Sequence, residues 1–448
     1  MFSQGLDKVQ HPLLSRRRGI LLGTALMLAV TASLVSAKTV AVSFAIVAAT
    51  FIIASVRPSK SEHIRFELGP VALYVMAFAL YAFSSAIWAE WPEGALEKTS
   101  VALLIAATTL LVVSMIKTEN RPNLLHMGEG VCIGLFVGLF YLLIELFTDQ
   151  SIKLWLYRAL GLDARDLNPP SFFTWNGGIL VSIAKDDLTR NIAPAALFFW
   201  PTVMMIRGML GTPWRNVAVA CLALLTTAVV MISFHESSKL SLVIGLGAFA
   251  LSSVSVRWAG RLLAISWILA CIAVVPAALL AYRLDLHNLH GLPTSARHRI
   301  IIWNFTAEKT LQSPWLGVGA NMTYLLGPKS ERETPNLPGE TLPRTLSTHS
   351  HSIYLQTWFE LGLVGATLLT LVGLSILSAI RSLAPQVQPY AYAAFASAAT
   401  LAAASYGMWQ YWFMALFGFC IVTFWVGARL LAQRNCWAVG AGAQPLAD

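Results

Sequence analysis

The chain has 448 residues, of which 56% are apolar and 12% charged, and its mean hydropathy is +0.65. That balance excludes an ordinary soluble globular protein and places the chain in a bilayer, because repeated apolar runs of about 20 residues can each cross the hydrocarbon. A net charge of +9 would suggest nucleic acid in a soluble protein. Here much of the basic excess sits in short loops between apolar runs, so it reports topology first and an anionic substrate second, and no nucleic-acid partner is expected.

Arg16, Arg17 and Arg18 precede an apolar run at 20–37, which gives the amino terminus the outline of a signal peptide. A second run starts at Thr39 with no small-residue cleavage context between the two, so the first is read as a retained helix. Further runs follow at 39–56, 69–89, 99–116, 127–147, 191–208, 217–234, 240–256, 262–282, 352–380, 390–408 and 412–428. The expected fold class is therefore all-α, a polytopic membrane helix bundle of about twelve transmembrane helices with a large outer loop before the tenth. Residues 1–282 would hold helices one to nine, with an outer loop at 149–190. Residues 283–351 would form that outer loop with an amphipathic helix, and 352–448 the last three helices and a cytoplasmic tail.

Loops of one set carry Lys8, Arg16 to Arg18, Arg57, Lys60, Arg65, Lys117, Arg121, Arg207, Arg215, Arg257, Arg261, Arg381, Arg429 and Arg434. Short loops of the other set carry only Lys38, Lys98 and Lys239. The positive-inside rule then puts both termini in the cytoplasm and the two long loops on the outer side.

In the first long loop, Ile152, Leu154, Trp155, Leu156, Tyr157 and Leu160 interleave with Lys153 and Arg158, which suits a short helix in the headgroup region ended by Pro169 and Pro170. In the second, Ile300, Trp303, Ala307 and Leu311 recur at helical spacing and predict an amphipathic helix stopped by Ser313 and Pro314. Residues 327–345 are rich in Pro, Gly, Thr and Glu and read as a mobile, solvated excursion. Cys132, Cys221, Cys271 and Cys420 lie in apolar runs and Cys436 in the tail, without CxxC spacing, so neither a disulfide nor a metal site is expected.

The candidates for chemistry gather at the outer face. Arg299 and Trp303 are one helical turn apart, where an indole can brace a guanidinium or anchor a helix, and Arg297 and His298 add to the basic patch. Arg suits phosphate because its planar fork donates paired hydrogen bonds and keeps its charge. His351, at the start of the run to Ile380, can act as a proton acceptor or as a helix cap. Lys239, after Ser237 and Ser238, and the pair Arg190 and Asn191 can meet a lipid diphosphate or serve as interfacial anchors. Glu360, within a span, reads as a polar contact to another helix, facing away from His351, and Gly362 and Gly365 as close-packing positions. Asp186 and Asp187 are a weak carboxylate pair for a divalent ion, and no phosphate-loop or metalloprotease pattern is present.

Taken in order, Arg299-Ile-Ile-Ile-Trp303, Ser313-Pro-Trp-Leu-Gly317-Val-Gly319, His351-Ser-Ile-Tyr-Leu355-Gln356, then Glu360-Leu-Gly362 and Gly365 resemble the signature region of the O-antigen ligase and Wzy-type polymerase superfamily. The close match covers about 70 residues, and the span layout agrees over nearly the whole chain. The resemblance implies transfer of a glycan from undecaprenyl diphosphate to an acceptor sugar hydroxyl at the periplasmic face of a bacterial inner membrane, with inversion and without metal, nucleotide or other cofactor. It gives His351 the role of activating the acceptor and Arg299 that of contacting the diphosphate. Lys239 stands where the family usually has Arg, Asn191 resembles the family's Asn at a span start, and Ser352 stands where Asn is common. The acceptor is lipid A-core for an O-antigen ligase, or a lipid-linked repeat unit for an O-antigen or exopolysaccharide polymerase, with membrane lipids as further partners. A twelve-helix secondary transporter is a reading of another class, and it predicts related halves and helices broken at mid-membrane.

Overall fold

The computed structural model describes residues 12–55, 69–163, 170–333 and 343–441. Lys8, Arg57, Lys60, Arg65 and Pro169 lie outside them, and so do residues 334–342 of the expected excursion at 327–345. The chain is a multi-pass α-helical membrane protein. Among the described residues ten helices are long and apolar enough to cross a membrane, eleven if Val256–Ile272 and Val274–Arg283, bent by 70°, form one span. The remaining expected span is the Gln388–Ala404 helix, which has only 17 residues.

Packing divides the chain into two compact units. The first comprises Met1–Ile64, Val112–Val243 and Phe419–Asp448. Within it, Pro12–Val35 lies along Arg121–Phe147, where Gly130, Gly134 and Gly138 recur every fourth residue. A side chain at Gly130 would stand 2.0 Å from the Gly23 carbonyl oxygen, and one at Gly134 would stand 2.5 Å from that of Met27. Small residues at this spacing let two backbones touch, which is how helices associate where lipid offers no hydrophobic drive. The Thr189–Met209 helix is buried on nearly every side.

Part of this unit is not helical. Phe173–Asn176 and Ile179–Ile183 form an antiparallel hairpin turned by Gly177 and Gly178, both at positive φ (56° and 79°). Phe173, Leu180 and Ile183 are buried against Leu154 and Tyr157 of the Ser151–Ala159 helix. That helix ends at Ala159 rather than at the prolines.

The second unit comprises Arg65–Leu111 and Ile244–Gly418. Two of its helices are interrupted, and neighbouring side chains and backbone satisfy the groups so released, as a bilayer demands. At the bend after Ile272, the Trp358 indole donates to the Cys271 carbonyl at 2.6 Å. The second interruption, at Gly362 in the Ile353–Arg381 helix, organises the candidate site.

Candidate functional site

The basic patch sits on the Thr294–Thr310 helix, whose Ile300, Ile301, Ile302, Phe305 and Ala307 are all buried. The helix is thus packed into the second unit on most sides, a wider apolar face than the predicted stripe, while Leu311 at its end is 59% exposed. Arg297 donates through Nε to the His287 carbonyl at 2.7 Å, pinning the preceding turn. Arg299 is half-buried, and its Nε makes no hydrogen bond among the described residues. Of the two arginines, Arg297 alone is hydrogen-bonded among the described residues.

Among the described residues no guanidinium lies over the Trp303 ring. The Trp303 indole donates to the Ser350 carbonyl at 2.8 Å and so holds the segment that presents His351. That segment is tightly set: Ser350 Oγ donates to the Ser352 carbonyl at 2.8 Å, and Ser352 caps the following helix by accepting from Leu355 N. His351 itself has φ +56°, a left-handed conformation uncommon for a non-glycine residue and sustained by these fixed neighbours.

His351 Nδ1 lies 2.9 Å from the carbonyl oxygen of Ser405. A carbonyl can only accept, so Nδ1 carries the proton and donates it. In the neutral ring this leaves Nε2 as the proton acceptor. Burial, chiefly, and then the nearby Arg299 guanidinium push the His351 pKa down to about 4, against the opposing effect of the Ser405 carbonyl. The imidazole is therefore neutral at physiological pH. His349 packs beside it with ring centroids 4.1 Å apart, and burial followed by Arg299 also lowers the pKa of His298. The assembly is a neutral base next to a fixed cation, which suits proton removal beside an anionic group.

The break at Gly362, with φ +61°, frees carbonyls on one side and amides on the other. Val318 N and Gly319 N donate to Phe359 and Glu360 carbonyls (3.1 and 2.8 Å), the Tyr81 hydroxyl donates to Leu361 (3.1 Å), and Leu363 N reaches the Pro314 carbonyl (2.8 Å). The Pro-Trp-Leu-Gly-Val-Gly turn is thus a backbone patch for the broken helix. A Cβ at Gly317 would stand 2.3 Å from the Glu360 carbonyl carbon, and one at Gly362 2.4 Å from that of Trp315. Gly362 breaks the helix rather than serving merely as a packing position. Gly362→Ala is expected to destabilise the protein by on the order of 3 kcal/mol or more, read from thermal unfolding in detergent. A wild-type midpoint would mean that the backbone relaxes around the methyl group.

Glu360 is fully buried, and five donors converge on its oxygens: Asn321 N (3.0 Å), Thr323 N (2.9 Å), Gln356 Nε2 (3.1 Å), the Thr323 hydroxyl and the Trp409 indole. It ties the 321–323 turn and the 405–410 connection to the helix below His351. Residues 327–333, expected to be part of a solvated excursion, belong to the Met322–Glu333 helix. Thr345 and Leu346 are buried and bonded to Gly327 and Ser330, so this end of the segment is docked.

Lys239, Arg190 and Asn191 belong to the first unit. Lys239 lies in the first turn of Glu236–Val254 and pairs with Glu236 at 2.8 Å, beside a His235–Ser238 hydrogen bond of 2.6 Å. Asn191 is buried, its amide donating to the Leu34 and Val35 carbonyls (3.1 and 2.7 Å) at the end of the first helix. Arg190 is half-buried and has no hydrogen bond or ion pair among the described residues. Asp187 is engaged in an ion pair with Lys153. Among the described residues no three His, Cys, Asp or Glu side chains could hold a metal ion.

No motif in the sequence marks the Ser405–Gln410 connection, yet it supplies the carbonyl that sets the His351 tautomer and, at Gly407, the space for His349: a Cβ there would lie 2.6 Å from that of His349. Its only signal is a glycine among aromatics between two spans, which equally describes an interfacial turn.

Comparison with known proteins bears on residues 221–370, which match the model of a family described as O-Antigen ligase. A Rickettsia typhi protein named "Putative polysaccharide ligase" is 27% identical over 233 residues, covering 51% of this chain and 55% of the relative. A Rickettsia conorii protein of the same designation is 33% identical over 123 residues, 27% of this chain and 29% of the relative. The chain thus spans at most about half the length of these relatives.

Proposed function

We propose that the chain, whose residues 221–370 match the family model described as O-Antigen ligase, transfers a glycan from undecaprenyl diphosphate to a sugar hydroxyl, most specifically O-antigen to lipid A-core, at the periplasmic face of a bacterial inner membrane. His351 Nε2 takes the proton of the acceptor hydroxyl as its oxygen bonds to the anomeric carbon. The bond from that carbon to the diphosphate oxygen breaks from the opposite side, so the configuration inverts and undecaprenyl diphosphate leaves with the electron pair. Arg299 supports the charge that develops on the departing phosphate, in partly dry surroundings where a fixed cation acts more strongly than in water. Arg297 is proposed as an additional contact of the Arg299 patch; within the first unit, and taken by themselves, Lys239 and Arg190 are proposed as residues that meet a lipid diphosphate and Asn191 as a supporting residue.

The observation that carries this reading is the donation of Nδ1 to Ser405, which leaves Nε2 as a base beside Arg299. Its test is transfer by the purified full-length protein from a synthetic undecaprenyl-diphosphate glycan, offered lipid A-core and a lipid-linked repeat unit separately. Product on lipid A-core is the expected result. Product only on the repeat unit would make the protein a polymerase, and product on neither would overturn the proposal. Addition of EDTA is expected to leave the rate unchanged; inhibition reversed by magnesium would contradict metal-independent transfer.

A further inference from the structure

Arg381 closes the helix that begins just after His351, so it lies at that helix's far end. There Arg257, Arg261, Arg381, Val256 and Gln388 line a cavity of about 290 Å³, near the lower limit of small-ligand pockets, ~300 Å³. Arg257 and Arg261 are one turn apart on the Val256–Ile272 helix and project from one face. None of the three arginines forms an ion pair with a carboxylate among the described residues. Arg261 lies over the Trp258 ring at 5.3 Å. Gln388 donates to the Arg381 and Leu383 carbonyls (3.1 and 2.8 Å), which fixes the turn that carries Arg381.

A second feature points the same way. Tyr392 is 0% exposed, and its hydroxyl has no hydrogen-bond partner among the described residues. The hydroxyl reaches Gly260, between the two arginines: a Cβ on Gly260 would stand 2.8 Å from the Tyr392 oxygen and 3.5 Å from Arg381 Nε. Arginines at a membrane boundary can be plain topological anchors. Anchoring explains the charge, but not a buried hydroxyl left unpaired at Gly260, next to Arg381 and just behind the cavity lining, which costs stability unless something accepts from it.

We propose that Arg257, Arg261, Arg381 and the Tyr392 hydroxyl form a binding site for a phosphate group, separate from the surroundings of His351. The chemistry fits phosphate on two counts: guanidinium forks donate in pairs to its oxygens, and a tyrosine hydroxyl adds a single donor. The phosphate can come from an anionic lipid headgroup or from a soluble phosphate compound.

The test uses the full-length protein and follows its thermal unfolding midpoint. One arm places it in nanodiscs of phosphatidylcholine with or without phosphatidylglycerol, and the other titrates inorganic phosphate and pyrophosphate in neutral detergent. Wild type is expected to gain stability, saturably and less at high salt, in at least one arm, which identifies the source. Arg381→Gln is expected to weaken the apparent affinity about ten-fold or more, and Tyr392→Phe, which keeps the buried ring, several-fold. Arg299→Met is expected to retain the effect. Stabilisation that disappears in Arg299→Met but persists in the Arg257→Gln/Arg261→Gln/Arg381→Gln protein would place the anion at the other site and overturn the proposal. No stabilisation of wild type in either arm would overturn it as well.

Discussion

His351→Ala is expected to reach the membrane in normal amount and to transfer glycan about 10²- to 10⁴-fold more slowly, the range associated with removing a positioned general base. The left-handed backbone at this residue, φ +56°, complicates alanine, which prefers other conformations. His351→Asn is the companion variant, because asparagine tolerates left-handed backbone yet offers no base. If both variants unfold at the wild-type temperature and both lose transfer, chemistry rather than local structure has been removed. Turnover within about ten-fold of wild type in the asparagine protein would take His351 out of the proton-transfer role.

The membrane-spanning segments were legible because lipid accepts few solutions: a long apolar run has to be a helix, so 127–147 and 352–380 announce themselves. The helix carrying Arg299 was legible as well, from the spacing of Ile300, Trp303 and Ala307 and the Ser313-Pro314 stop, and it extends back to Thr294. The hairpin at 173–183 leaves little trace in the sequence, since its Asn-Gly-Gly turn lies in a short stretch whose apolar residues alternate over only a few positions. From the sequence Glu360 reads as a contact to another helix, and its partners include the Trp409 indole in the connection beyond the next span. What no spacing could reveal is that two backbone amides of the 321–323 turn also reach it. The same holds at His351: its tautomer is fixed by a main-chain carbonyl at Ser405, and any residue type supplies a carbonyl. Side-chain patterns in the sequence can indicate a base, but not which of its nitrogens is left to act.

The Arg299 variants separate charge from shape. Arg299→Met is expected to lower kcat/KM about 10²- to 10³-fold, by analogy with loss of one preorganised donor to a developing anion, and also to move the acid limb of its pH dependence. In wild type His351 stays neutral until its pKa, about 4, so transfer should hold through mild acid and fall only near that value. Removing the guanidinium removes one of the causes that lower this pKa, so the limb should shift to higher pH. It should stay below 6.5, the ordinary value, because burial is the larger cause and remains. Stability follows the same sign: an unfolded chain protonates this histidine near 6.5 and the folded one near 4, so folding weakens as pH falls through that interval, less so without Arg299. Arg299→Lys keeps the charge and should leave the limb near its wild-type position, yet it should still lose rate because a point charge cannot replace the paired donors. A methionine variant whose limb coincides with that of wild type would mean that Arg299 does not act on His351 electrostatically. A lysine variant with full activity would reduce Arg299 to an anchor.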